Sequence, residues 1–121
     1  MTTVTNQLLV ICRHVAWSAD MAACLEMTLT AGVFEQRPVL VLADAAVTLL
    51  LPGQDGEPYG LKTLAKQVPA FELYGIDQVY ADAAALIAHG IDAATLEHGI
   101  KPLPAERLAE LMATTATVLV F

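Results

Sequence analysis

The sequence predicts an α/β protein, a single-domain flavodoxin-like three-layer sandwich built on a mainly parallel five-stranded sheet. Three observations carry this. Strand-type and helix-type segments alternate along the whole chain, the pattern of a parallel sheet with helices on both faces. The first strand is an unbroken apolar run, Leu8-Leu9-Val10-Ile11-Cys12, which suits a strand covered on both sides. Two strands run straight into an aspartate, Asp44 or Asp82, that can open a helix. With 121 residues, the chain (residues 1–121) reads as one domain around one core.

The first strand covers residues 8–12. Ser18 caps the helix that follows, in which Met21, Cys24, Leu25 and Thr28 or Leu29 recur at helical spacing and Gly32 is the expected stop. Pro38 introduces the second strand, residues 39–42. Asp44 is expected to cap a short helix over residues 45–51. The turn chemistry of Leu51-Pro52-Gly53-Gln54-Asp55-Gly56 makes a loop. Residues 61–74 read as a helix that Pro69 must kink or interrupt, closed by Gly75. The third strand spans residues 78–81, and Asp82 caps a helix over residues 83–89 that ends at Gly90. Residues 96–100 form a weak fourth strand, spoiled by Gly99. Pro104 suits the first position of a helix whose apolar face is Leu108, Leu111 and Met112. Residues 117–121 close the sheet. Right-handed crossovers favour a flavodoxin-like strand order.

Composition excludes several functions. Net charge is −7 and only six residues are Lys or Arg, so the chain lacks the basic footprint that direct nucleic-acid binding or docking on an anionic membrane requires. No stretch approaches the roughly 20 apolar residues of a membrane span. The N-terminal residues 1–7 lack the basic start of a signal peptide, and two cysteines make no disulfide framework, so a cytoplasmic protein is expected. Hydrophobic residues reach 56 %, an excess that fits either a well-filled interior or apolar surface covered by a partner chain.

In open α/β sheets, ligands gather beyond the carboxyl ends of the strands. The candidates there are Cys12, Asp44, Tyr80 and Asp82. Cys12 is followed by Arg13 and His14, cations that would favour a thiolate; the plainer account is a small buried core residue. Asp44 and Asp82 could act as bases or ligands, but helix capping explains both. Tyr80 could line a strand-end cleft or anchor the core. The three histidines do not form a ligand set, and no Cys-x-x-Cys, His-Glu-x-x-His, Walker or Gly-x-Ser-x-Gly motif occurs, so neither metal nor cofactor is expected.

Several strings resemble the DsrE/DsrF-like family, specifically its TusC/DsrF branch. They are Ala43-Asp44 followed by Leu50-Leu51-Pro52-Gly53-Gln54, then Leu73-Tyr74-Gly75-Ile76-Asp77-Gln78, the helix Ala83-Ala84-Ala85-Leu86-Ile87-Ala88-His89-Gly90-Ile91, and the stretch from Pro102-Leu103 through Leu108 to Val118-Leu119-Val120-Phe121. The resemblance covers nearly the whole chain. It implies a subunit of a cytoplasmic sulfur relay, in which persulfide sulfur passes along cysteines toward 2-thiouridine at the tRNA wobble position, or serves sulfur oxidation. It also implies hetero-oligomeric partners, homologous small subunits of the TusB/DsrH and TusD/DsrE types. In the carrier subunit the sulfur-bearing cysteine follows the third strand. Here that place holds Asp82, and a carboxylate cannot carry sulfane sulfur. The expectation is therefore a non-carrier subunit, silent alone and prone to self-association. Two alternatives stand beside it: a thiol-active carrier through Cys12, and a homo-oligomeric binder of a small molecule at the strand-end cleft.

Overall fold

The computed structural model describes residues 5–121. Residues 1–4, part of the stretch read as lacking a signal-peptide start, lie outside the described residues. Five strands form one parallel sheet: β1 (Thr5–Cys12), β2 (Val39–Leu42), β3 (Gln78–Asp82), β4 (Lys101–Leu103) and β5 (Thr115–Val120), in the order β4-β3-β2-β1-β5. Three α-helices cover it, α1 (Ala19–Val33), α2 (Ala83–Ala88) and α3 (Ala105–Thr114).

The five-stranded parallel α/β architecture matches the expectation, while the strand order corrects the flavodoxin arrangement, which runs 2-1-3-4-5. Here β1 to β4 step in one direction and only the last crossover reverses. Right-handedness permits both orders, because it fixes the hand of each crossover and not where the reversal falls. The order decides what covers each face. Steps in one direction put their connections on one side of the sheet, and the main core lies there. Val10, Cys12, Leu40, Leu42, Val79 and Ala81 meet Met21, Cys24 and Leu25 of α1 and Leu86 of α2. Among the described residues, the opposite face (Leu9, Ile11, Val39, Val41 and Leu103) receives only α3, through Leu108 and Leu111. No residue of α3 is fully buried.

Local chemistry accounts for the elements. Ser18 caps α1 by accepting from the Met21 amide at 3.0 Å. Gly32 does not stop α1, which continues to Val33. Its role is close approach: a Cβ there would run into the Tyr74 carbonyl oxygen. The helices expected after β2 and before β3 are both 3-10 segments, Asp44–Leu50 and Leu64–Tyr74. In the second, Pro69 removes a backbone donor from the interior and disfavours α-helical continuation. The fourth strand lies at Lys101–Leu103 instead of residues 96–100. Pro102 is tolerated there because β4 is an edge strand. Pro104 is the cap of α3, one position before the expected one.

Candidate functional site

The carboxyl ends of β1, β2 and β3 bring together Arg13, Asp44 and Asp82. Asp44 does not cap the segment that it opens. The cap position is Ala43, without a side-chain bond, and Asp44 is the first residue of the 3-10 segment with φ +49°. Its carboxylate instead accepts from Arg13 Nε at 2.6 Å. The strand register explains the difference. Cys12 pairs with Leu42, so the residues just past β1 and β2 emerge side by side. Asp82 does cap, accepting from the Ala84 amide at 3.3 Å.

Asp44 and Asp82 share the lining of an open cavity of about 330 Å³, with Ala45, Ala84 and Ala85 as small walls and His89 beyond them. His89 Nδ1 lies 3.0 Å from the Ala85 carbonyl oxygen. Tyr80 is not part of this lining. Its half-buried side chain packs with the β1/β2 face that α3 covers, because successive strand residues alternate and Ala81 takes the opposite face. The cleft therefore loses its aromatic candidate and keeps two acids.

Cys12 sits at the end of β1 but points into the main core with no exposed surface, as does Cys24. The Cys12 Sγ lies 3.8 Å from the His14 carbonyl oxygen. A hydrogen bond from Cys24 favours the Cys12 thiolate. Burial opposes it, and the backbone and imidazole of His14 assist; together they bring the Cys12 pKa down to about 7. The same bond, with burial, pushes Cys24 well above the usual thiol range. The pairing of the two thiols was not evident from their separate positions in the sequence, although both fall on core-facing positions. Among the described residues no three His, Cys, Asp or Glu side chains converge as a metal site.

A second, larger cavity of about 480 Å³ lies beside the 3-10 segments, lined by Leu51, Pro52, Val68 and Leu96 with the polar Lys66 and His98. Its shape depends on Gln54. The Gln54 amide donates to the carbonyls of Thr48, Leu49 and Leu51 at 2.9, 3.0 and 2.8 Å, so it ties off the carboxyl end of the 3-10 segment. Gly53, at φ +75°, turns the chain so that Gln54 can reach back. The Leu-Leu-Pro-Gly-Gln string thus has a local structural cause.

Residues 7–121 match the family described as the DsrE/DsrF-like family. A Pseudomonas aeruginosa protein named "Protein TusC homolog" is 26 % identical over 110 residues, covering 90 % of this chain and 92 % of that one. The crystal structure of the ychN protein from E. coli superposes with a TM-score of 0.78 at 19 % identity, over 97 % of this chain and 100 % of that one, a likeness of fold. With a match that spans all but the first six residues, the chain belongs to the DsrE/DsrF-like family.

Proposed function

We propose that this chain is a non-carrier subunit of a cytoplasmic persulfide relay, one that supports 2-thiouridine formation at the tRNA wobble position. The observation that carries the reading is Asp82. It closes β3, at the strand-to-helix junction where the carrier subunit of this family has its cysteine, and its carboxylate is engaged as the cap of α2. A carboxylate oxygen cannot hold a sulfane sulfur. The chain's own thiols are no substitute, since Cys12 and Cys24 are both 0 % exposed and an acceptor cannot reach them in the folded protein. The similarity to a protein named a TusC homolog favours the same branch. The charge of −7 favours contact with protein partners over a direct grip on tRNA.

In this reading the subunit positions a cysteine-bearing homologue and shapes the surface of the complex. The test is reconstitution with two homologous small subunits. Co-purification of all three is expected, with sulfur transfer that depends on this chain yet survives Cys12→Ser. A labelled persulfide formed on this chain alone, and passed to an acceptor without the other subunits, would overturn the reading.

A further inference from the structure

We infer that the outer edge of β5 is a self-association surface, on which a second copy of this chain adds its own β5 antiparallel across a two-fold axis at Val118. The inference does not rest on the sulfur-relay reading.

The two edges of the sheet are treated differently. The β4 edge is three residues long, and it carries Lys101 and Pro102, which discourage a further strand. The β5 edge runs for six residues, Thr-Ala-Thr-Val-Leu-Val, with no charge, proline or glycine. Among the described residues no strand pairs with it from outside. Such an edge is a template for pairing and is normally blunted or used.

The backbone geometry says which groups are available. Phe121 donates to the Ile11 carbonyl at 2.7 Å and accepts from the Arg13 amide at 2.8 Å, so both of its peptide groups face β1. Along a parallel strand, alternate residues turn to alternate neighbours. Thr117 and Leu119 therefore also face β1, while Ala116, Val118 and Val120 present their N–H and C=O groups to the open side. An antiparallel partner strand satisfies all of these groups if Val118 faces its own symmetry mate and Ala116 faces Val120 of the second copy. Each opposed pair then exchanges two hydrogen bonds.

The side chains agree with a second copy as the occupant. Ala116, Val118 and Val120 share one face, where Val118 packs with the smaller core and Val120 is 56 % exposed. Opposed small and β-branched residues are favourable cross-strand pairs. Charge points the same way. The chain carries −7, so most approaches between two copies are repulsive, but no residue from Leu111 to Phe121 is charged. A two-fold contact centred at Val118 places these neutral segments together.

Sedimentation of the full chain over a wide concentration range, with residue-resolved amide exchange, tests the inference. A dimer is expected, in which the Ala116, Val118 and Val120 amides gain protection with concentration while those of Thr117 and Leu119 are protected throughout. Ala116→Pro removes only an outward donor, and Val120→Lys puts a charge on the neutral contact at an exposed side chain. Each should raise the dimer dissociation constant by roughly tenfold or more with the circular dichroism unchanged. If Ala116→Pro does not fold, Val120→Lys decides alone. The inference is overturned by a chain that stays monomeric, by open-ended aggregates, by a dimer indifferent to the variants that fold, or by protection that arises only when a different protein is added.

Discussion

Arg13 and Asp44, thirty-one residues apart in sequence, meet through a 2.6 Å contact between Nε and Oδ2, and Asp44 makes it from the left-handed region at φ +49°. Two opposed terms act at the site. Both side chains are more than half exposed, so the ion pair contributes only about 0–1 kcal/mol. A left-handed backbone costs an L-residue roughly 1–2 kcal/mol, and aspartate tolerates it better than most. Asp44→Ala loses the pair and, because the parent already carries the strain, adds only alanine's poorer tolerance of it, so a loss of about 1 kcal/mol is expected. Asp44→Gly loses the pair but relieves the strain, and should stay within about 1 kcal/mol of the parent. Urea unfolding of the two variants checks this; equal losses would show that the strain contributes nothing.

Gln54 offers a second test of local order. One side-chain amide serves three carbonyls at the end of the Asp44–Leu50 segment. Gln54→Ala leaves those acceptors to water and should cost about 1–2 kcal/mol. Gln54→Glu should cost more, because it replaces the donor with a carboxylate facing carbonyl oxygens. Denaturation midpoints in the order parent, Ala, Glu are the expected outcome. A Glu variant as stable as the parent would mean that the three bonds are not formed in solution.

The thiol pair predicts a pH dependence. The Cys12 pKa, about 7 in the folded chain, lies below that of an unfolded thiol. Between those values the unfolded chain binds more protons, so Cys12 contributes stability that is complete above the unfolded value and lost as pH falls through 7. Cys24 is shifted upward, so its contribution is complete below the unfolded value and lost as pH rises beyond it. Stability from this pair should rise from pH 7 toward the unfolded thiol value near 8.5 and decline above it. Removing the Cys24 donor, as in Cys24→Ala, should abolish the rise. A urea midpoint measured at several pH values, in parent and variant, decides it; identical profiles would mean that the thiols do not interact.

The legibility of this chain follows the range of the interactions involved. Apolar runs locate β1, β2 and β3 because each strand's own composition shows its burial, and Ser18 and Asp82 announce their caps because a cap lies next to what it caps. The Arg13–Asp44 contact depends on the pairing of β1 with β2, which no local pattern reveals. For Tyr80 the sequence leaves cleft and core both open, and strand alternation sends it to the face that α3 covers. The strand order was out of reach for a related reason: handedness leaves open which crossover reverses. The core was therefore largely readable, whereas the candidate site required the register between strands.

Asp82 combines the structural and functional arguments in one position. Asp82→Ala removes the bond to the Ala84 amide and should lower stability by about 1 kcal/mol, while Asp82→Asn retains an acceptor and should lose less. If the carboxylate only caps, a reconstituted relay containing either variant should transfer sulfur at nearly the parental rate. Asp82→Cys probes accessibility instead. Residue 82 is half-buried and borders the open cavity, whereas the native thiols are closed off. The new thiol should react with an alkylating reagent in the folded protein while Cys12 and Cys24 wait for denaturant. Equal labelling of all three thiols would mean that the core around Cys12 opens readily, and the reading of this chain as a subunit without a usable thiol would fail with it.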